Sequence, residues 1–169
     1  DGGALWGGRF EGGMAPEMVP FNRSLGIDAR LWREDVRGSI AWARAIGRAG
    51  ALTDDETDAL VRGLARVAER IEREGLAEAP EEDIHSVVER MLGEEAGPVA
   101  GKLHTGRSRN DQSSTGVRLY GMAACDRLTE MLLRLCDALH GLAGRGVDVI
   151  MAGYTHPQQA PPRRAGQWG

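Results

Sequence analysis

The stretch that decides the fold runs from Val117 to Leu142 and reads VRLYGMAACDRLTEMLLRLCDALHGL. Its apolar and small residues recur at alternating steps of four and three, the 3.5-residue period of helices that pack in bundles. Leucines outside this seam widen the apolar surface, so we expect the helix to contact neighbours on more than one side. The seam consists of Val117, Gly121, Ala124, Leu128, Met131, Leu135, Ala138 and Leu142.

Three shorter segments upstream also have helical periodicity. Thr53 followed by Glu56 is a capping-box pattern, and the acids at 81–83 suit a helix start after the break at Pro80. The apolar stripes are Val36, Ile40, Ala43 and Gly47, then Leu60, Leu64, Val67 and Ile71, then Ile84, Val87, Val88 and Met91. We therefore predict an all-α protein with two domains. Residues 1–105 form an N-terminal helical domain, and residues 106–169 begin a central bundle of long helices.

Three segments are expected to be irregular. Residues 1–23 are rich in glycine and proline and predict an extended N-terminal arm. Gly93, Gly97, Pro98 and Gly101 predict a loop before the long helix. The β-branched run at 147–151 favours extended chain but is too short to build a sheet on.

Composition excludes several classes of protein. The net charge is −4 with acids and bases interspersed, which disfavours a nucleic-acid partner. No apolar run approaches the roughly 20 residues that span a bilayer, so no membrane contact is expected and the expected location is cytoplasmic. Cys125 and Cys136 are eleven positions apart on one helix, too far for an intrachain disulfide, and we expect buried free thiols.

The segment KLHTGRSRNDQ, from Lys102 to Gln112, is the densest group of polar side chains. It lies before the long helix, where free backbone amides, the helix dipole and two guanidiniums would make a receptor for carboxylates. A capped helix start with solvated arginines is the alternative. Such a cap needs one polar residue, and eight are present: His104, Thr105, Arg107, Ser108, Arg109, Asn110, Asp111 and Gln112.

Two other segments could carry chemistry. In GYTHPQ, Thr155 could donate a hydrogen bond and His156 could titrate near neutral pH. Asp83 and His85 form an acid/base candidate, although helix-start acids beside a surface histidine explain the same pattern. We interpret His140, among leucines, as structural. The four histidines lack metal-ligand spacing and no GxGxxG or P-loop pattern occurs, so neither a metal nor another cofactor is expected.

Four motifs in order resemble the argininosuccinate lyase family of the fumarase and aspartase superfamily. They are LWGGRF at 5–10, FNRSLGIDARL at 21–31, EDIHS at 82–86 and KLHTGRSRNDQ at 102–112. The resemblance runs from Leu5 to about His156. It implies a fumarase/aspartase-like fold and a homotetramer whose long helices bundle at the centre, with each active site built from three subunits.

The resemblance also implies an activity and a set of site residues. The reaction would be the anti β-elimination of argininosuccinate to L-arginine and fumarate, the last step of arginine biosynthesis. Family substrate contacts match Ser24, Asn110 and Thr155, and Arg109 matches a partner for a fumarate-end carboxylate. His156 matches the catalytic histidine, as an acid/base residue whose direction of proton transfer stays open. Asp83, His85, Arg107 and Ser108 match neighbours of the site.

The chain departs from the family pattern in two places. After His156, Pro161 and Pro162 replace a segment that leads into a helix, and successive prolines disfavour a helix there. The family's serine loop, in a Ser-Ser-x-x-Met-Pro-x-Lys pattern, has no copy in this sequence. Both ends look like boundaries of a fragment. We therefore expect this polypeptide alone to be inactive.

Other functions stay open at this point. A second lyase of the superfamily, such as adenylosuccinate lyase or fumarase, would share the architecture but not this combination of motifs. A structural protein like the lens δ-crystallins would keep the fold without activity. A helical module that associates with intact lyase subunits through the 3.5-residue seam is a third alternative.

Overall fold

The computed structural model describes residues 15–76 and 79–168. The LWGGRF motif at 5–10 and most of the predicted arm lie outside the described residues. The chain divides into two compact units between Tyr120 and Gly121. The predicted domains, 1–105 and 106–169, stay a prediction, because a division into compact units does not test where a bundle domain begins.

The chain is predominantly helical, as predicted. Its α-helices are α1 (Met18–Asn22), α2 (Leu25–Asp28), α3 (Trp32–Arg48), α4 (Asp54–Glu74), α5 (Ile84–Ala96) and α6 (Arg109–Arg145). Short 3₁₀ helices span Ala29–Leu31, Gly97–His104 and Ala165–Gln167, and two strands follow α6, β1 (Ile150–Thr155) and β2 (Gln158–Arg164). None of the helices in the described ranges combines the length and hydropathy of a bilayer-spanning segment.

The core of the first unit lies between α3, α4 and α5. The stripe predicted on α4 is buried, with Leu60, Leu64 and Val67 fully inaccessible to solvent. The stripes on α3 and α5 meet it through side chains that include Ala43 and Ile84. Burial of these apolar surfaces supplies most of the free energy that stabilises such a unit.

The predicted helix starts are confirmed. The Thr53 side chain accepts a hydrogen bond from the Glu56 amide, while the Glu56 carboxylate accepts one from the Thr53 amide. Asp83 caps α5 by accepting from the Ser86 amide at 2.7 Å. Gly75 follows α4 with φ +72, a left-handed conformation that glycine adopts without a Cβ clash.

Two predicted irregular segments contain helices, and both predictions were wrong there. Met18–Asn22 is helical instead of extended, because Pro20 falls in the first turn, where an amide donor is not needed. The expected glycine loop is also absent: α5 continues through Gly93 to Ala96, and a 3₁₀ helix follows at once. Pro98 lies in the first turn of that helix, the position that a proline tolerates best.

The second unit contains an antiparallel hairpin, so the expectation that 147–151 could not lead into a sheet was wrong. Strands β1 and β2 pair from Ile150↔Arg164 to Thr155↔Gln158, with a bulge between Met151 and Gly153. Pro161 and Pro162 form that bulge, as the two residues of β2 that oppose Ala152 of β1, and the ladder there does not require their missing amide donors. The two prolines are therefore compatible with a strand although they disfavour a helix.

The apolar residues of α6 in the second unit are exposed. Leu128, Met131, Leu132 and Leu135 are each more than half accessible. The described residues 121–168 contain no second α-helix against which this face could pack. For the same reason Cys125 and Cys136 are exposed free thiols, which corrects the prediction that they are buried.

Candidate functional site

The polar segment before α6 is a capped helix start that also makes tertiary contacts. Gly106, at φ +65, turns the chain beside the Trp42 ring, and the Arg107 amide donates to the His104 carbonyl at 3.1 Å. The Ser108 amide donates to Asp111 Oδ2 at 3.1 Å, and the Asn110 amide donates to Ser108 Oγ at 3.2 Å. The first turn of α6 is therefore fixed by its own side chains, with Asn110 exposed on its surface.

Arg109 is held by groups from two helices. Its Nη1 and Nη2 donate to Glu89 Oε1 and Oε2 at 3.0 and 3.1 Å, a bidentate pair with α5. Nη1 also donates to Gln112 Oε1 at 2.8 Å, and Nε lies 3.8 Å from Asp83 Oδ2. His104 Nδ1 lies 3.3 Å from Glu89 on the other side. The alternative of a freely solvated arginine is therefore wrong for Arg109.

A buried polar network lies beneath this helix start. Asp35 of α3 and His85 of α5 are 2% and 3% exposed, and Asp35 Oδ1 lies 2.7 Å from His85 Nδ1. Gln112 Nε2 donates to the same oxygen at 2.7 Å, and Ser113 Oγ lies 3.0 Å from His85 Nε2. Ser113, His85 and Asp35 follow one another in the order of a hydrolase triad. Because His85 is buried, however, a substrate could not reach it. We interpret the network as a brace between α3, α5 and α6.

Arg107 packs against α3. Its Nη1 donates to Ser39 Oγ at 2.9 Å, and Ser39 is buried. Burial lowers the pKa of the Arg107 guanidinium, while the negative charges of Asp35, Asp111 and Glu89 act in the opposite direction. Arg107 thus adds a partly desolvated positive charge beneath the first turn of α6.

Ser24 lies where α2 meets the start of α5. Its hydroxyl donates to Asp28 Oδ2 at 2.6 Å, and Asp28 Oδ1 accepts from the Ile84 amide at 3.1 Å. The Ser24 amide donates to the Glu82 carbonyl at 2.9 Å. Since Asp83 also approaches Arg109, these contacts link Ser24 to the first turn of α6.

Thr155 and His156 belong to the second unit. Thr155 pairs with Gln158 at the end of the hairpin, so His156 and Pro157 form a two-residue turn. His156 has φ +52, a left-handed conformation that an L-residue with a Cβ rarely adopts. Both side chains are exposed. His140, interpreted from the sequence as a structural residue among leucines, is also exposed and lies beside Val147 and Arg164.

The structure therefore brings most of the predicted site residues of the first unit together. Arg109 approaches Asp83 directly and is connected to His85 through Gln112 and Asp35. The Ser24 amide contacts the backbone just before Asp83, and Arg107 and Ser108 directly precede Arg109 in the chain. Sequence reasoning missed Asp28, Asp35 and Glu89. A weak signal existed for Glu89, because it follows His85 by one helical turn and therefore shares its face.

The comparisons with known proteins define the class of this helical protein as a lyase. The family model described as "Lyase" matches residues 8–169, and the chain belongs to this lyase family. Over 97% of its length the chain is 47% identical to the argininosuccinate lyase of Roseiflexus castenholzii and 44% identical to that of Chlamydomonas reinhardtii. It spans 36% and 35% of the lengths of these relatives.

Two solved structures support the same fold. An EDDS lyase in complex with formate superposes with a TM-score of 0.66 at 26% identity, covering 94% of this chain and 32% of the other. A fumarate lyase from Mesorhizobium sp. BNC1 superposes with a TM-score of 0.60 over 89% of this chain and 34% of its own. At 22% identity, the second comparison bears on the fold alone.

Proposed function

We propose that the protein functions in the cleavage of argininosuccinate to L-arginine and fumarate by anti β-elimination. The observation that carries this proposal is the 47% identity to an argininosuccinate lyase over 97% of the chain. The relatives reported above are argininosuccinate lyases, which favours this activity over the superfamily alternatives, adenylosuccinate lyase and fumarase. Similarity to EDDS lyase is lower, at 26%.

The chemistry explains why cations and amide donors are concentrated at one helix start. The base must remove a weakly acidic proton next to a carboxylate, so negative charge accumulates on that carboxylate before the nitrogen leaves. Fixed donors stabilise this charge without reorganising. Arg109 and Asn110 at the N-terminus of the 37-residue helix α6 are suited to this task.

The roles of individual residues are part of the proposal. Ser24, Asn110 and Thr155 contact the substrate, Arg109 binds a carboxylate at the fumarate end, and His156 is an acid/base residue. The neighbours Asp83, His85, Arg107 and Ser108 hold the site without reacting. The exposure of Asn110, Thr155 and His156 is consistent with contact to a small molecule.

Assembly is also part of the proposal. We infer a homotetramer in which α6 packs into a central bundle, because its apolar face is exposed in the single chain. We also infer that each active site is built from segments of three subunits. We place the enzyme in the cytoplasm, where its substrate class is expected.

The test is turnover by the complete protein that the gene encodes. Purified protein is supplied in turn with argininosuccinate, adenylosuccinate and malate, and fumarate release is measured. We expect release from argininosuccinate alone. Release from adenylosuccinate or malate instead would transfer the function to another lyase, and binding without release of any product would favour a structural protein.

The 169-residue chain provides a second test. Because it has no serine-loop motif, we expect it to release no fumarate from argininosuccinate. Fumarate release by the purified chain would contradict this part of the proposal and show that the serine loop is dispensable.

A further inference from the structure

The guanidinium of Arg109 has two edges that can each bind a carboxylate. The end formed by Nη1 and Nη2 is taken by Glu89. The second hydrogen of Nη1 is taken by Gln112. The side edge, formed by Nε and the outer hydrogen of Nη2, has no hydrogen bond within the described residues, since Asp83 is 3.8 Å from Nε. A second carboxylate at this edge would take the place of the longer ion pair with Asp83 and leave the pair with Glu89 intact.

The direction of this edge depends on Gln112. The Gln112 side chain is almost fully buried, at 3% exposure. A carboxylate only accepts hydrogen bonds, so the contact of Gln112 Nε2 with Asp35 fixes which end of the amide is which. Its Oε1 must then face Arg109, as the distance of 2.8 Å shows. Asp35 is itself fixed by the buried His85.

We propose that Gln112 is a positioning residue that aims the side edge of Arg109 at a substrate carboxylate. Asp35 anchors it from beneath, and Glu89 holds the same guanidinium from α5. Three hydrogen bonds to two partners fix the plane of the guanidinium, so a carboxylate meets donors that are already oriented. This inference rests on the proposed function, in which Arg109 binds a carboxylate at the fumarate end.

The test compares succinate binding in four variants of the complete protein, measured by calorimetry so that it does not depend on turnover. Gln112→Met keeps the length and volume of the side chain but removes the amide. Ser113→Ala is the matched control, because it breaks the contact with His85 and leaves Arg109 untouched. Arg109→Lys keeps the charge beside Glu89 but loses the forked edge. The fourth variant combines Gln112→Met with Arg109→Lys.

We expect Gln112→Met to weaken succinate binding about tenfold, the size of one well-oriented charge-assisted hydrogen bond. The Kd of Ser113→Ala for succinate should stay within about twofold of that of the unmodified protein. In the Arg109→Lys background, Gln112→Met should cause no further loss of succinate binding, because the guanidinium that Gln112 positions is absent. Circular dichroism checks that each variant is folded.

Three results would overturn the inference. Unchanged succinate binding in Gln112→Met would mean that Gln112 does not position Arg109. An equal loss of binding in Ser113→Ala, or a full additional loss in the Arg109→Lys background, would mean that Gln112 acts through the fold and not through Arg109. Failure of the proposed function is a separate result. It would appear as absence of argininosuccinate turnover in the unmodified protein, whatever succinate binding shows.

Discussion

Nδ1 of the buried His85 imidazole lies 2.7 Å from Oδ1 of Asp35, fifty residues earlier in the chain. Because the carboxylate oxygen accepts from both this nitrogen and Gln112, the hydrogen of a neutral imidazole belongs on Nδ1. Nε2 is then an acceptor for the Ser113 hydroxyl at 3.0 Å. One carboxylate thus determines the tautomer of a histidine and the orientation of an amide.

Removing the Asp35 carboxylate should be strongly destabilising. Asp35→Ala leaves the His85 and Gln112 donors buried without their acceptor, so we expect a loss of about 3 kcal/mol in the free energy of unfolding. Chemical denaturation of the chain measures it. Asp58→Ala is the matched control, since Asp58 is exposed and its pair with Arg62 should contribute less than about 1 kcal/mol. Equal losses would show that the network is open to water.

A pair of leucine substitutions separates the core from the exposed face of α6. Leu64 is fully buried and Leu132 is 51% exposed. In the isolated chain, Leu64→Ala should lower the free energy of unfolding by about 2–5 kcal/mol, because it leaves a cavity. Leu132→Ala should change it by less than about 1 kcal/mol. A large, concentration-dependent effect of Leu132→Ala would show that another chain covers this face.

The capping box of α4 can be tested alone. Thr53→Ala removes the acceptor of the Glu56 amide and should cost about 1 kcal/mol of unfolding free energy. Thr53→Ser keeps the hydroxyl and should restore most of that stability. If both substitutions cost the same, the methyl group of Thr53, and not the cap, is responsible.

Substitution of Asn110, whose side chain is exposed, is the most direct test of the proposed substrate contacts. In the complete protein, Asn110→Ala should lower kcat/KM for argininosuccinate by about 100-fold or more, as loss of a donor to developing negative charge does. Steady-state fumarate release measures it. Thr115→Ala, at an exposed position five residues further along α6, should leave kcat/KM within about twofold. Equal activity of Asn110→Ala and the unmodified protein would remove Asn110 from the site.

Helices were predictable here wherever the deciding signals are local. The stripe from Leu60 to Ile71 and the pair of Thr53 and Glu56 lie within a few turns of each other, so periodicity and caps suffice. The loop at 93–101 was mispredicted because glycine is tolerated inside a helix that packing stabilises. The hairpin was missed because its register, with a bulge formed by two prolines, depends on pairing that no single strand encodes.

The candidate site was predictable only in part. The polar density around Arg109 predicted a helix start with binding groups, since those residues are adjacent in sequence. Its partners were not predictable: Gln112 meets Asp35 across 77 positions, and Arg109 meets Glu89 across 20. Such contacts depend on how the helices pack. The sequence alone therefore does not distinguish Asp35 on α3 or Glu89 on α5 from the other acidic residues.

One face of helix α3 packs in the core, and the adjacent face contacts residues of the candidate site. Val36 and Ala43 pack in the apolar cluster, while Asp35 and Ser39 contact the residues that hold the start of α6. Each residue added or removed turns everything beyond it by about 100°. A one-residue deletion at Arg37 would therefore separate Asp35 from Ser39 in register and misplace Ala43 at the same time. Among variants of this gene, α3 should tolerate many substitutions but no change of length.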